Sequence, residues 1–268
     1  MTTIARPKMP KPLFRTLAAA AAVVVCMGAS AADLPIFTLD PAAVGLAGPA
    51  FTADNLLISD YAKVTKTATG FTETGYLAIT GAQLGSLTFQ PTGLASTYGL
   101  YIEFSAAGTN TFAVGNFSGV NIDSLTYTLY GYNGAANFTP TSAPAPFVTL
   151  GSGTLESGTF SGTTNAGNVT SVSATFDLNF VPSRGSAASF FVSPVPFYTS
   201  VQSAFNNTSS QITNTATGFT LSQGGGSINF IATPVPEPET YAMLLAGLGV
   251  VGGLALRRNK AKKSGQGI

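Results

Sequence analysis

The chain has 268 residues, of which 45% are hydrophobic and 9% are charged, and its formal net charge is +1. In globular proteins about a quarter of all residues are charged on average, so this composition is unusual for a cytosolic protein. The sequence contains no His, which excludes a Ser-His-Asp triad, a Cys-His pair and a His-ligated zinc site.

The first 32 residues have the order of a secretory signal peptide. Basic residues come first, and they are Arg6, Lys8, Lys11 and Arg15. An apolar stretch of about 13 residues follows, and then come small residues suited to signal peptidase, Ala29, Ala31 and Ala32. A membrane anchor is the alternative, but spanning a bilayer takes about 20 apolar residues. We therefore predict cleavage after Ala31 or Ala32.

The segment that follows is acidic and free of thiols. Residues 33–236 contain nine acids and three bases, a net charge of −6. Such a segment has no basic patch for nucleic acid. The single cysteine, Cys26, lies in the segment to be removed, so the mature protein has no disulfide and no cysteine-based metal site.

Strand signals recur along residues 33–233. Alternation of apolar and polar residues, with many β-branched and aromatic side chains, predicts strands at Phe71–Thr80, Tyr98–Ala106, Asp123–Tyr132 and Val169–Phe180, with shorter ones at 189–193 and 227–233. Segments rich in Gly, Asn and Pro separate them. We predict one all-β domain, a β-sandwich or jelly roll. A split into two β modules near Pro140–Pro146 is the alternative.

Two segments differ from this pattern. Asp54–Val64 is the best helical candidate, although it is short and contains the β-branched Ile58 and Val64. Asn207–Ser227 is polar and rich in Gly, which favours a loose stalk. The Gly, Ser and Thr content also raises disorder as an alternative for the whole domain, but disordered chains usually lack aromatic residues. Here Phe and Tyr are frequent and fall on alternating positions, so we expect a folded domain.

Candidate sites within the domain are few. Carboxylate pairs could serve glycoside hydrolysis, but sequence spacing identifies no pair, and we expect no enzyme and no cofactor. Asp177–Asn179 and the pair Asp54 and Asp60 offer oxygen ligands for calcium, but they lack an Asp-rich loop, and we predict no metal. Five tyrosines suit either a sugar-binding face or core and cross-strand pairs, namely Tyr98, Tyr101, Tyr127, Tyr130 and Tyr132.

The C-terminal segment, residues 234–263, has three parts. Pro236, Glu237 and Pro238 lie in an extended, proline-rich cluster. The apolar residues 240–256 follow, and as a transmembrane helix they would span about 25 Å, slightly less than the ~30 Å hydrocarbon core. A basic group, residues 257–263, ends the segment as a cytoplasmic stop, and its charged members are Arg257, Arg258, Lys260, Lys262 and Lys263.

These three parts in this order resemble the PEP-CTERM sorting signal of Gram-negative bacteria. A plain membrane anchor would explain the apolar and basic parts, but not the Pro-Glu-Pro before them. The resemblance implies that a membrane-embedded exosortase recognises the tail and cuts near Pro236–Pro238. The protein would then reside in the inner membrane transiently, before it reaches the cell surface or the exopolysaccharide matrix.

Three further segments resemble the start of the flocculation-associated PEP-CTERM proteins of floc-forming bacteria. They are Phe37–Thr65, Phe71–Gly81 and Ser96–Thr109. The resemblance implies a structural role in holding cells and exopolysaccharide together as flocs, and it supplies no catalytic residues. Self-association is a further expectation. The alternatives are a secreted carbohydrate-binding or carbohydrate-active protein and a permanently anchored surface protein.

Overall fold

The computed structural model describes residues 34–85, 88–114 and 117–232, without the side chains of 110–117. In these ranges the strands are β1 (Phe37–Leu39), β2 (Phe51–Ala53), β3 (Asn55–Lys66), β4 (Gly70–Leu84), β5 (Thr88–Phe89), β6 (Tyr98–Val114), β7 (Phe117–Asn133), β8 (Val148–Asn165), β9 (Asn168–Asn179), β10 (Val181–Pro182), β11 (Phe191–Ser193), β12 (Ser200–Thr208), β13 (Ile212–Thr215) and β14 (Gly218–Ile231). Short 3₁₀ helices occupy Ala42–Val44, Gly185–Phe190 and Ser209–Gln211.

Eight of these strands close into one antiparallel barrel. Hydrogen bonding runs in the order β3, β4, β6, β7, β8, β9, β12 and β14, and β14 pairs back to β3. Each wall strand therefore lies beside the wall strand that precedes it in the chain, as in an up-and-down meander. Closure removes the open sheet edges that would otherwise invite pairing with other chains.

The all-β prediction is confirmed, but the sandwich or jelly roll is not. A single sheet closes on itself, so one face of every wall strand points into the barrel and the other points to solvent. Alternation along a strand is the same in a barrel wall and in a sandwich, because both have one buried face. Pro140–Pro146 lies in the loop between β7 and β8, which are neighbours in the same barrel.

The four longer segments predicted as strands lie in the barrel wall. Of the two shorter ones, 227–233 overlaps the end of β14, whereas 189–193 overlaps β11 in the small three-stranded sheet. Phe71–Thr80, Tyr98–Ala106 and Asp123–Tyr132 fall within β4, β6 and β7, and Val169–Phe180 coincides with β9 apart from its last residue. Strand β8 was not predicted because its glycines resemble turn signals. These glycines have a packing role instead, because a Cβ at each would collide with an aromatic ring. The ring is that of Phe180 at Gly151, of Tyr127 at Gly153 and of Phe176 at Gly158.

Two predictions need correction. The helix predicted over Asp54–Val64 is wrong, because this segment is strand β3, and its alternate residues from Leu56 to Val64 are buried in the barrel. Asn207–Ser227 forms parts of β12, β13 and β14 rather than a stalk. Its few apolar side chains, including Phe219 and Leu221, point into the barrel, while the polar majority faces solvent.

An aromatic cap closes one end of the barrel. The short strands β11, β1 and β2 form a three-stranded sheet there. The ring of Phe37 on β1 packs edge-on against Phe230 of β14, with ring centroids 4.9 Å apart. More rings extend this cluster across the end of the barrel, namely Phe180, Phe190, Phe191, Phe197 and Tyr198. This packing leaves the opposite end as the route into the interior.

Candidate functional site

The outer face of β3, β4, β6 and β7 carries polar side chains in rows that run across the strands. One row consists of four residues that the antiparallel register places side by side on neighbouring strands, namely Tyr61, Tyr76, Glu103 and Thr128. The adjacent row consists of Lys63, Thr74, Ser105 and Thr126. Since neighbouring strands lie about 4.8 Å apart, each row of four residues extends over about 14 Å.

The loop between β7 and β8 forms a wall beside these rows. Phe138 in this loop packs on Tyr61, Tyr101 and Tyr132, with ring centroids 5.6–6.0 Å apart. The Tyr101 hydroxyl donates a hydrogen bond of 3.1 Å to the carbonyl of Pro144. The loop and the sheet together enclose a groove of about 520 Å³, and Pro140 and Thr141 line its loop side. We call this space the outer groove.

The outer groove is chemically suited to a hydroxyl-rich ligand. Lys63, Glu103 and the surrounding Thr and Ser hydroxyls are exposed and supply both donors and acceptors. Tyr76 is half-buried and adds an aromatic ring. Burial, and secondarily the charge of Glu103, raises the pKa of Tyr76, so its hydroxyl remains a proton donor. The groove therefore combines an apolar ring face with a field of hydrogen-bonding groups.

The structure divides the five tyrosine candidates between the core and the outer face. Tyr98 and Tyr127 are buried, and the Tyr127 hydroxyl donates to the carbonyl of Asn179 over 2.7 Å. Tyr101, Tyr130 and Tyr132 lie on the outer face, where Tyr101 and Tyr132 are buried under the loop. Burial and the neighbouring Glu103 raise the pKa of Tyr101 to about 12.

Two tyrosines on the outer face, Tyr61 and Tyr76, were not among the candidates named from the sequence, and Tyr76 lines the groove. Both alternate with buried neighbours in their strands, which places them on the solvent face. That parity was visible in the sequence, but the pairing of Tyr61 with Tyr76 required the register between β3 and β4. Phe138 was missed because it lies in a loop without periodicity.

A separate polar cluster lies inside the barrel. Asp60 on β3, Glu73 on β4 and Asn207 on β12 are all buried, and the Asn207 side-chain amide donates to the Asp60 carboxylate over 3.2 Å. Burial raises the pKa of Asp60 to about 7, against the lowering effect of Asn207. Burial, and secondarily the charge of Asp60, raises the pKa of Glu73 to about 8.

The calcium candidates are engaged in other contacts. Asp177 accepts hydrogen bonds from Ser157 and Gln202, and Asn179 bonds across the sheet to Thr154. Asp54 accepts from the backbone N–H of Gly85, whereas its proposed partner Asp60 bonds inside the barrel. Within the described ranges, no group of three or more His, Cys, Asp or Glu is placed to hold a metal ion.

The targeting segments lie outside the described residues. This holds for the signal-peptide cleavage residues Ala29, Ala31 and Ala32, for Pro236–Pro238, for the apolar stretch 240–256 and for the basic group from Arg257 to Lys263. In the part of the chain that is described, no helix is long and apolar enough to cross a membrane.

Comparison with known families identifies the C-terminal segment. Residues 234–259 match the family model described as the PEP-CTERM protein-sorting motif. Comparison with curated proteins and with solved structures gives no match to this chain. The sorting signal predicted from the sequence is therefore confirmed. This motif indicates an exported protein that is sorted through the membrane as an exosortase substrate.

Proposed function

We propose that this protein is a structural component of the extracellular matrix, where it binds exopolysaccharide through the outer groove and promotes aggregation of cells into flocs. Export under a PEP-CTERM signal supports an extracellular role. The observation that carries the proposal is the pair of polar rows beside Tyr76, walled by the loop at Pro140 and Thr141. We further propose that the protein belongs to the flocculation-associated type of PEP-CTERM protein.

The groove favours a polysaccharide for two physical reasons. Sugar rings offer hydroxyls around their edge and less polar faces, and these match the Thr and Ser hydroxyls and the ring of Tyr76. The rows are built on paired strands, so the donors and acceptors are held in place before a ligand arrives. Preorganisation lowers the entropy lost on binding.

Weak contacts at each groove would suffice for a role in aggregation. A polysaccharide repeats its binding unit, so many copies of the protein can bind one polymer and the avidity multiplies. The small number of charged residues also limits repulsion between neighbouring copies on the polymer. We propose that self-association of the copies follows from this shared attachment.

Binding fits the groove better than hydrolysis does. A glycosidase that uses two carboxyl groups places them about 5–10 Å apart around the scissile bond. The residues that line the outer groove include a single carboxyl group, that of Glu103. We therefore propose a binding protein and no catalytic role.

The test is binding of the purified exported protein to exopolysaccharide isolated from the producing strain. We expect Tyr76→Ala to weaken co-sedimentation about fivefold or more, because it removes the ring at the centre of the groove. Tyr101→Phe should weaken binding less, since it only releases the loop wall from its hydrogen bond to Pro144. The matched control is Phe89→Ala, which removes a 67% exposed ring outside the groove and should bind as the native protein does.

Two results would contradict the proposal. Native-like binding by Tyr76→Ala would remove the groove from the interaction. Unchanged floc formation after deletion of the gene would remove the biological role, whatever the purified protein binds.

A further inference from the structure

The barrel interior contains a feature that exopolysaccharide binding does not use. At the end opposite the aromatic cap, a mouth of about 470 Å³ opens between the wall strands. Apolar side chains make up most of its wall, including Val64, Phe71, Val120, Phe160 and Phe219. Lys66 lies at the exposed rim. The mouth of a barrel is a common place for a small-molecule site.

An inner cavity of about 70 Å³ lies next to this mouth, among side chains that point into the barrel. Phe160 and Val172 line both spaces, and Phe71 stacks on Phe160 with ring centroids 5.4 Å apart. The lining of the inner cavity is almost entirely apolar, but it includes Asp60, Glu73 and Asn207.

The register gives the order of these groups along the barrel. Glu73 pairs with Val64, which lines the mouth, whereas Asp60 pairs with Leu77 further in. Between these two levels lies the pair Ala62 and Gly75, whose small size leaves room in the interior. A ligand that enters through the mouth therefore meets Glu73 first and Asp60 second.

Two acceptor atoms at the inner level have no partner. Asp60 is 4% exposed and Asn207 is 2% exposed, and the side-chain amide of Asn207 donates to one oxygen of the Asp60 carboxylate. The other carboxylate oxygen, Oδ1 of Asp60, and the amide oxygen Oδ1 of Asn207 are buried without a hydrogen bond. The hydroxyl of Ser203, which also lines the cavity, donates to the carbonyl of Ser227 instead. Buried polar atoms almost always have a partner, so an unmatched pair points to a missing donor.

The chemistry of the two unpaired acceptor oxygens indicates which kind of donor group fits beside them. Once Asp60 is ionised, both atoms are acceptors and the carboxylate repels an anion, so a group with several N–H donors and a positive charge fits best. Two carboxyl groups and one amide oxygen are too few for calcium, which takes six to eight oxygen ligands. An ammonium group meets the requirement in one compact head, and the apolar wall of the mouth suits an apolar body attached to it.

We propose that the barrel binds a small amine with an apolar body, whose ammonium group donates to Asp60 and Asn207 while the body lies between Phe71, Phe160 and the wall of the mouth. Glu73 adds a second carboxyl group along the path of the amine. This site is separate from the outer groove, so its occupation does not depend on exopolysaccharide binding.

The experiment compares three ligands of matched shape: benzylamine, benzyl alcohol and benzoate. Binding to the full-length chain is measured by calorimetry at about pH 8, where the Asp60 carboxyl group is largely ionised. We expect benzylamine to bind about tenfold more tightly than benzyl alcohol, and benzoate to bind most weakly. Asp60→Asn should weaken benzylamine about tenfold and leave benzyl alcohol within about twofold, because only the charge at the head is lost.

The control variants distinguish the effect of the buried polar cluster on amine binding from a general effect of the charge of the protein. Asp123→Asn removes an exposed carboxylate that accepts a hydrogen bond from the hydroxyl of Thr109. This substitution should leave the affinities for all three ligands unchanged. If Asp60→Asn does not fold, Glu73→Gln tests the same charge at the next level and should weaken benzylamine selectively. Equal affinity for the three ligands would overturn the proposal. So would the absence of binding by all three, since the unpaired acceptors would then be served by water.

Discussion

Asp60 and Asn207 are 147 residues apart in the chain, and their side chains meet inside the barrel in a hydrogen bond of 3.2 Å. Their strands, β3 and β12, are not neighbours, because β14 lies between them. Gly224 of β14 pairs with Asp60, and a Cβ at this glycine would collide with the Asn207 amide oxygen. A missing side chain therefore lets the contact reach across an intervening strand.

Gly224→Ala should destabilise the fold by about 1–3 kcal/mol, because the new methyl group displaces Asn207 and breaks its bond to Asp60. Urea unfolding measures the change. The matched control is Gly225→Ala on the same strand, where the nearest atom to the new Cβ is the Asn206 carbonyl oxygen at 4.0 Å. The control should unfold at nearly the native urea concentration. Equal destabilisation by both variants would show that strand conformation, rather than the Asn207 contact, sets the effect.

Stability should fall as the pH rises from about 5 to about 8, most steeply below pH 7, and should level off toward pH 9. Burial raises the pKa of Asp60 to about 7 and that of Glu73 to about 8, while both titrate near 4 in the unfolded chain. In this window the folded state holds protons that the unfolded state has released, so raising the pH favours unfolding. The loss should be on the order of 6 kcal/mol, at about 1.4 kcal/mol per pH unit for each group between pH 5 and its folded-state pKa.

Urea unfolding at a series of pH values measures this dependence. Asp60→Asn cannot ionise, so it should flatten the curve and exceed the native stability at about pH 9. Asp123→Asn, at an exposed site, should keep the native slope. A native protein that becomes more stable between pH 5 and 9 would contradict the buried, protonated state of the two carboxyl groups.

The strands were predictable where apolar and polar residues alternate without interruption, as from Val172 to Leu178 on β9. Strand β8 was not predictable, because Gly151, Gly153 and Gly158 resemble turn residues in the sequence. Their packing role becomes visible only with the aromatic rings that lie against them. Closure of the sheet into a barrel could not be predicted from the sequence either. It depends on β14 pairing with β3, a contact between segments about 150 residues apart, and alternation within each strand carries no information about it.

The candidate sites were predictable only in residue type. Tyrosines were candidates either for a sugar-binding face or for core and cross-strand pairs, and the parity of Tyr76 and the register of β4 with β6 decide which of them border the groove. From the sequence, Asp60 was named only in the pair Asp54 and Asp60, as an oxygen ligand that calcium could use. It lies instead on the buried parity of β3, which the helical interpretation of that segment concealed.

The chain isolated from the extracellular fraction should begin at Ala32 or Asp33 and end near Pro236–Pro238. The first cut follows from the small residues before it, and the second from the sorting motif over residues 234–259. Intact-mass spectrometry measures both ends. Replacing Pro236, Glu237 and Pro238 together by Ala should leave the C-terminus intact through Ile268 and retain the protein in the inner membrane. Glu239→Ala, which changes the acid that directly follows Pro236–Pro238, should be processed as the native chain is. A native extracellular protein that still ends at Ile268 would favour permanent anchoring over processing, and it would leave the outer groove attached to the cell instead of free in the matrix.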